Sequence, residues 1–285
     1  MEATSPPFIT PMIPLSKITL LAALVAPVVA SATTIVSDSF TDLGYTDGTD
    51  ASDVAWFTYY TGAAPTLSVA TDATLGGGPA LVMNSGSGMF KGAAANFTSQ
   101  TLAVGDTLTL AFDFRLSETP ANNSAGLRFG LANQATTGSA ATGTGYYIGL
   151  GTGTSSGAAF SGDTGSDSFT SGLGVTPITT NSPGSFSLAD QLKHTLSFSV
   201  TRTLAGYDLI FSADGGSSYT ASDSGSGITN AFNTIVLVQG GVATDFVLDN
   251  VNVTLTSVPE PSSYGLLGAG ALAACAFVRR RSKRL

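Results

Sequence analysis

The residue that makes the strongest chemical demand on its surroundings is Asp249, near the end of the chain. In an extended strand successive side chains point to opposite faces, so Asp249 shares a face with aliphatic residues. These are Val247, Val251, Val253 and Leu255. Burying a lone carboxylate among them would cost free energy. Asp249 must therefore be paired, hydrogen-bonded, metal-bound, or rescued by a β-bulge or by a place at the sheet rim.

Aromatic residues are the second group that could bind a ligand. Trp56 and Tyr60 share one face of a predicted strand, Phe57 and Tyr59 share the other, and Tyr146 lies in a later strand. Exposed rings stack against the C–H faces of sugars, whereas rings on an inner face belong to the core. Both faces of one strand cannot be exposed, so at least one pair is structural. The candidates for sugar stacking are Trp56, Tyr60 and Tyr146.

Catalytic groups are scarce. His194 is the only histidine, which excludes a multi-histidine metal site and favours a hydrogen-bonded histidine in the core or at its rim. Residues 33–257 contain one glutamate, Glu118, so paired carboxylates for glycoside hydrolysis would have to be aspartates, and no pair is marked. This part of the chain also lacks a nucleophile-elbow serine, a phosphate-binding glycine motif and cysteine. The sequence favours a non-catalytic protein.

The composition of residues 33–257 is acidic. This segment has 17 acidic and five basic residues, a net charge of about −12. Such a surface should repel nucleic acid and anionic lipid, and it suits neutral sugars or divalent cations. Because Cys275 lies outside the segment, stability must come from sheet packing without disulfides.

The elements that must position these residues are strands. Apolar and polar residues alternate over 107–116 and 192–201, and the latter continues through tight turns into 207–213 and 217–220 as a meander. Further strands are predicted at 34–40, 56–60, 66–70, 80–84, 127–132, 146–150, 232–239 and 245–256. Residues 135–185 read as long loops around the strand at 146–150, with a flexible stretch over 151–174. The pattern predicts an all-β fold, an antiparallel jelly-roll sandwich of two sheets.

The order of these strands resembles the concanavalin-like and carbohydrate-module jelly rolls. The resemblance rests on the opening strand at 38–40, the meander that begins at 194–198 and the closing strand at 249–253. It implies polysaccharide binding. It also implies a structural calcium, because in such modules an aspartate of the last strand joins oxygens of the first strand around the ion. Here Asp249 would join Asp38 or Asp42; a hydrogen-bonded Asp249 at a strand end is the alternative.

The amino terminus predicts export. Lys17 precedes an apolar run over 18–29, and Ala30-Ser31-Ala32 has the small residues that signal peptidase prefers. We predict a signal peptide of residues 1–32. Because residues 1–11 contain Glu2 and no cation, a true start at Met12 is the working hypothesis.

The carboxyl terminus, 258–285, has three parts. Val258-Pro259-Glu260-Pro261 forms an open, extended motif, since prolines exclude regular structure. The uncharged residues 262–278 would form a helix of roughly 25 Å, just able to span a hydrocarbon core of ~30 Å. The basic tail 279–285 would hold this end in the cytoplasm. Its cations are Arg279, Arg280, Arg281, Lys283 and Arg284.

These three parts resemble the PEP-CTERM sorting signal of Gram-negative bacteria. The resemblance implies that an exosortase cuts at the motif after a transient inner-membrane insertion and releases the body to the cell surface or extracellular matrix, often beside exopolysaccharide. Permanent anchoring by the helix is the alternative.

Together, these features divide the chain into a signal peptide, a β-sandwich over 33–257 and a sorting signal. We expect an exported, non-catalytic surface or matrix protein that binds extracellular polysaccharide. A structural adhesin or coat protein without a sugar ligand is the alternative, and a polysaccharide-degrading enzyme is a more distant one.

Overall fold

The structure is a computed structural model. It describes residues 30–46, 52–60, 64–84, 90–117, 126–134, 143–151, 158–165, 175–178, 188, 190–228, 230–240, 245–258 and 270. Ser31–Ser257 form one compact unit. The signal peptide up to residue 29, the motif residues Pro259, Glu260 and Pro261, and the basic tail lie outside the described residues.

The compact unit is built from strands. They are β1 (Ser31–Asp38), β2 (Trp56–Tyr60), β3 (Thr66–Thr71), β4 (Pro79–Asn84), β5 (Lys91–Thr101), β6 (Thr107–Leu116), β7 (Gly126–Asn133), β8 (Thr144–Gly151), β9 (Ala158–Thr164), β10 (Val175–Ile178), β11 (His194–Arg202), β12 (Tyr207–Ala213), β13 (Tyr219–Asp223), β14 (Ala231–Gly240) and β15 (Phe246–Ser257).

These strands form two sheets. The eight-stranded sheet has the order β13-β12-β11-β6-β15-β4-β3, with β1 also paired to β15, and the seven-stranded sheet has the order β10-β9-β8-β7-β14-β5-β2. Every pairing is antiparallel. The predicted all-β sandwich of two antiparallel sheets is confirmed.

Three strands were missed by the sequence patterns, namely β5, β9 and β10. The sequence of β5, Lys-Gly-Ala-Ala-Ala-Asn-Phe-Thr-Ser-Gln-Thr, has little alternation and few residues of high β propensity. It forms a strand because it pairs on both sides, with β14 and with β2. The flexible stretch predicted over 151–174 is wrong at Ala158–Thr164, where β9 pairs with β8.

Packing of the two sheets centres on Phe129, a buried residue of β7. Its ring meets three rings of the other sheet, with centroid separations of 4.9 Å to Phe112, 5.9 Å to Phe211 and 6.4 Å to Phe198. All three contacts are edge-on, the arrangement that aromatic quadrupoles favour. Phe129 therefore fixes β7 against β6, β11 and β12.

The first strand begins at Ser31, two residues before the predicted signal-peptidase site. Ser31 and Ala32 are exposed and pair with Ser257 and Thr256 at the end of β15. Cleavage after Ala32 would therefore shorten β1 by two exposed residues and leave its buried part, from Val36 onward, intact.

Close approach of strands requires glycine at Gly92 in β5. A Cβ atom at Gly92 would lie 1.8 Å from the carbonyl oxygen of Leu237 in β14. This is far inside van der Waals contact, and the obstacle is backbone, which cannot rotate away. The pairing of β5 with β14 therefore depends on the missing side chain.

We predict that Gly92→Ala lowers the free energy of unfolding by roughly 1–3 kcal/mol or more, because the added methyl group must push two paired strands apart. Gly78→Ala is the matched control, since nothing lies within 4 Å of a Cβ there, and it should change stability by less than about 0.5 kcal/mol. Urea unfolding of the two variants and the wild type measures both effects. Equal stability of the two variants would contradict the close approach.

Candidate functional site

A polar cleft lies between the ends of the two sheets, where β9 and β10 of one sheet meet the turn that follows β13 of the other. Its volume is about 230 Å³. It is lined by Gly162, Thr164, Ile178, Asp223, Ser224, Ser226 and Ile228. This is smaller than the ~300–1,000 Å³ of pockets for drug-sized ligands, and it suits one sugar ring or a similarly small polar group.

Asp223 is the charged residue of the cleft. Its Oδ2 accepts hydrogen bonds from the Tyr146 hydroxyl at 2.6 Å and from the Gly225 N–H at 2.8 Å. Among the described residues, none donates to its other oxygen, Oδ1. Asp223 is half-buried, so the carboxylate is fixed in place and still offers one oxygen to a ligand.

Tyr146 holds the Asp223 carboxylate in place through its hydroxyl group. Burial, and then the neighbouring Asp223 carboxylate, raise the pKa of Tyr146 far above its usual value, so the hydroxyl stays protonated and donates. The Tyr146 ring packs on Tyr207 with centroids 5.0 Å apart, and Arg202 lies 4.7 Å over the Tyr207 ring. The floor of the cleft is thus a rigid part of the core.

The turn after Asp223 needs its two glycines. Gly225 and Gly227 have φ angles of +74° and +79°, a region that side chains disfavour. A Cβ at Gly225 would also lie 2.8 Å from the Tyr207 ring. The turn closes through a 3.1 Å hydrogen bond from the Ile228 N–H to the Gly225 carbonyl, which leaves Ser224 and Ser226 exposed on the cleft. The run Asp-Ser-Gly-Ser-Gly directly after a strand is the signal that sequence analysis missed.

The residues predicted to stack on sugars lie elsewhere. Trp56 and Tyr146 are 2% and 0% exposed and belong to the core, so neither ring presents a face to solvent. Tyr60 is half-buried at the end of β2. On the outer face of the seven-stranded sheet, Tyr59 and Tyr147 are also buried. The accessible polar groups of the cleft, not these rings, form the better candidate site.

The residues predicted to hold calcium have separate contacts. Asp38 accepts hydrogen bonds from Trp56 Nε1 at 2.8 Å and from the Phe40 N–H at 3.0 Å. Asp42 accepts one from the Gly44 N–H at 2.9 Å. Within the described ranges, no three acidic, histidine or cysteine residues are grouped to hold a metal. Bound calcium stays a prediction.

A β-bulge resolves the problem posed by Asp249. The register between β15 and β6 shifts between Asp249 and Asn252, and Asn250 has a φ of +51°. The extra residue moves Asp249 away from the face of Val251 and Val253, so that it lies beside Asp113 of β6. Of the alternatives open at the sequence level, the bulge and the hydrogen bond are both present: Asp249 Oδ1 accepts from the Asn250 N–H at 2.7 Å.

Asp113 and Asp249 are adjacent carboxylates with opposite pKa shifts. Burial, and then the charge of Asp113, raise the pKa of Asp249. Burial also acts on Asp113, but hydrogen bonds from Lys193, Asn250 and Thr195 outweigh it and lower its pKa. The Asn250 side chain donates to Asp113 at 2.8 Å and to Asp249 at 3.3 Å, bridging the pair. Lys193 and the Asn250 amide therefore offset part of the repulsion between the two carboxylates, and the Asn250 bridge joins the bulge to β6.

His194 is held between two carboxylates. Its Nδ1 lies 2.8 Å from Asp214 and its Nε2 lies 2.9 Å from Asp190. Because both ring nitrogens are engaged, the imidazole has no nitrogen left to act as a general base. The prediction of a hydrogen-bonded histidine in the core or at its rim is confirmed. Burial lowers the pKa of His194, but the hydrogen bonds to Asp214 and Asp190 outweigh burial and raise it overall.

Comparison with known proteins decides the nature of the carboxyl terminus. Residues 257–282 match the family described as the PEP-CTERM protein-sorting motif. The chain carries a PEP-CTERM sorting motif. The resemblance inferred from Val258 to Arg284 is confirmed, and the protein is an exported one with a C-terminal, membrane-anchoring sorting signal. Within the described residues no helix is long and apolar enough to cross a membrane; the predicted helix 262–278 lies outside them except for Gly270.

The chain resembles solved structures in fold alone. The globular domain of T. cruzi calreticulin has 10% identity and a TM-score of 0.51, over 87% of this chain and 100% of that one. An endo-1,3-beta-glucanase from Streptomyces sioyaensis has 14% identity and a TM-score of 0.44, over 82% and 100%. Botulinum neurotoxin type C has 10% identity and a TM-score of 0.45, over 83% of this chain and 51% of that one. The chain thus spans about half of the neurotoxin structure it matches. No curated protein matches it.

We predict that the His194 contacts make stability depend on pH. Because its folded pKa is raised above the unfolded value of about 6.5, the stabilisation is fully present below pH 6.5, and it is lost as pH rises through the folded pKa. The wild type should therefore lose more free energy of unfolding between pH 6 and pH 9 than His194→Gln. Urea unfolding at both pH values tests this, and parallel losses in the two proteins would refute it.

Proposed function

We propose that the PEP-CTERM protein is a non-catalytic surface or matrix protein whose sandwich binds a neutral polysaccharide in the cleft at Asp223. The observation that carries the proposal is the Asp223 carboxylate, which is fixed by Tyr146 and Gly225 through one oxygen while the other has no donor among the described residues. A carboxylate oxygen is a strong acceptor for sugar hydroxyl groups.

The other lining residues support the same ligand class. Ser224, Ser226 and Thr164 are exposed hydroxyl groups that donate and accept hydrogen bonds. Ile178 and Ile228 add a small apolar contact for the C–H groups of a sugar ring. The excess of acidic residues over residues 33–257 disfavours polyanions, including nucleic acid. A neutral glycan fits the charge, the size and the polarity of the cleft.

The cleft also supports a binding role without catalysis. Its described lining has one carboxylate, Asp223, whereas glycoside hydrolysis by the common mechanism needs two carboxyl groups about 5–9.5 Å apart. The one histidine is occupied by Asp190 and Asp214. Binding therefore accounts for the residues of the cleft without a reaction.

Export gives this binding its place. In the proposed route signal peptidase removes the amino-terminal segment, and the sorting helix tethers the protein transiently in the inner membrane of a Gram-negative cell. An exosortase then cuts near Glu260, and the sandwich reaches the cell surface or the extracellular matrix. There a neutral exopolysaccharide is the available partner.

We predict that Asp223→Asn weakens binding to neutral oligosaccharides about 10- to 100-fold, since a charge-assisted hydrogen bond contributes roughly 1.5–3 kcal/mol. A glycan array followed by calorimetry on the processed protein measures this. Asp42→Asn is the control: it makes the same charge change at an exposed aspartate outside the cleft lining and should bind like the wild type. Unchanged affinity of Asp223→Asn would show that the cleft is not the binding site. An array without any bound glycan would favour the alternative, a structural adhesin or coat protein without a sugar ligand.

We also predict that Glu260→Ala blocks processing. The variant should accumulate in the membrane fraction with peptides from beyond residue 260 still attached, because the motif and not the helix directs the cut. Mass spectrometry of membrane and extracellular fractions gives the readout. Ser282→Ala, which leaves the motif and all five basic residues of the tail unchanged, should be released normally. Normal release of the Glu260 variant would show that another site is cut.

A further inference from the structure

The outer face of the eight-stranded sheet carries an ordered array of hydroxyl groups. We call it the hydroxyl face, and define it by Thr254 and Thr256 of β15, Thr107 and Thr109 of β6, and Ser199 and Thr201 of β11. The register aligns them in two rows across the three strands. Thr254 is opposite Thr109, which is opposite Ser199. Thr256 is opposite Thr107, which is opposite Thr201.

These hydroxyl groups face solvent. The residues between them on β6, Leu108 and Leu110, are fully buried in the core, whereas all six residues of the hydroxyl face are only half-buried. Because neighbouring strands lie about 4.8 Å apart and alternate residues about 6.8 Å apart, the side chains form a regular grid. The grid continues on β1 at Thr34 and on β12 at Ile210, which is 41% exposed.

Four of the six hydroxyl groups are also held in place by hydrogen bonds to each other. Thr107 Oγ1 and Thr201 Oγ1 are 2.9 Å apart, and so are Thr109 Oγ1 and Ser199 Oγ. Within each pair one hydroxyl donates to the other, so the second keeps its hydrogen and both keep lone pairs for an outside partner. A ligand that binds these pairs does not have to order free side chains first, which lowers the entropic cost of binding.

The charge of this face differs from that of the whole body. None of the six residues is charged, and neither are Thr34, Asn252 and Ile210 beside them, whereas the exposed Asp208 of β12, opposite Thr201, places a carboxylate at the edge of the face. A neutral grid of hydroxyl groups on an acidic protein fits an uncharged, hydroxyl-rich partner, whereas a polyanion would be repelled by the surrounding carboxylates.

We infer that the hydroxyl face is a second binding surface, which takes the packed chains of a neutral, insoluble polysaccharide. The inference rests on the proposed function, since both require that the exported sandwich meets polysaccharide. None of the six residues is aromatic, so each contact is weak, and a short soluble chain gains little from it. An extended polymer surface repeats the contact many times, so that retention builds up through multivalency.

The test is retention of the processed protein on microcrystalline cellulose, chitin and an insoluble β-1,3-glucan. Thr254→Lys and, separately, Ile210→Lys place a long charged side chain on the face and should each reduce the retained fraction several-fold. Thr98→Lys is the matched control, because Thr98 is an exposed strand residue of the other sheet. It should be retained like the wild type. Thermal unfolding of each variant shows whether it is folded, and if one face variant does not fold, the other decides the test.

Three results would overturn the inference. The first is full retention of both face variants, and the second is no retention of the wild type on any of the three polymers. The third is a wild-type dimer in sedimentation that Thr254→Lys dissociates, because the face would then be an interface between copies of the chain. Asp223→Asn separates this inference from the proposed function, since the variant should bind soluble oligosaccharides more weakly but be retained on insoluble polymer like the wild type. If the wild type binds soluble oligosaccharides only, the hydroxyl face fails and the cleft stands.

Discussion

The contact on which the sandwich depends is the packing of Phe129 against rings of the opposite sheet. Phe112, Phe198 and Phe211 come from three adjacent strands, β6, β11 and β12. One side chain of β7 therefore determines how the two sheets pack against each other. Cys275 is the only cysteine of the chain, and therefore no internal disulfide can replace this packing. The shape of the cleft depends on the same packing, because the cleft lies between strands of the two sheets.

Polar contacts act where the aromatic core ends. The bulge at Asn250 turns Asp249 away from the aliphatic face and places it beside Asp113, which pairs with Lys193 and accepts a hydrogen bond from Asn250. Arg115, next along β6 on the same side, binds Asp72 of the loop between β3 and β4. His194 joins the start of β11 to the turn after β12 through Asp214. The ion pairs and hydrogen bonds of Asp72, Asp113 and Asp214 thus join neighbouring strands and turns at the rim of the sandwich.

Sequence patterns predicted the fold well and the site poorly, for physical reasons. Alternation over 107–116 identifies β6 because one face of that strand is in the core and the other in solvent. It cannot identify β5, where Ala93, Ala94 and Ala95 are all buried although they point to both faces. The face of Asp249 was also beyond a parity argument, since a one-residue bulge reverses parity. Asp223 could not be identified from the sequence as a binding residue. Its position depends on a hydrogen bond to one of its oxygens from Tyr146, which is distant in the sequence.

Strand β13 connects the two surfaces that we assign to polysaccharide. Tyr219 and Ala221 point into the core, while Thr220 and Ser222 continue the outer side of the eight-stranded sheet beyond Ile210 and Asp208. The strand then ends at Asp223, whose carboxylate lines the cleft. The hydroxyl face and the cleft thus lie on opposite sides of the sheet that ends at β13, with the cleft opening at this edge. Weak, repeated contacts on the face would raise the local concentration of chains at a single, more specific site on the edge. Such an arrangement suits a matrix protein that must hold an extended polymer, since neither surface alone has the area or the rings for tight binding.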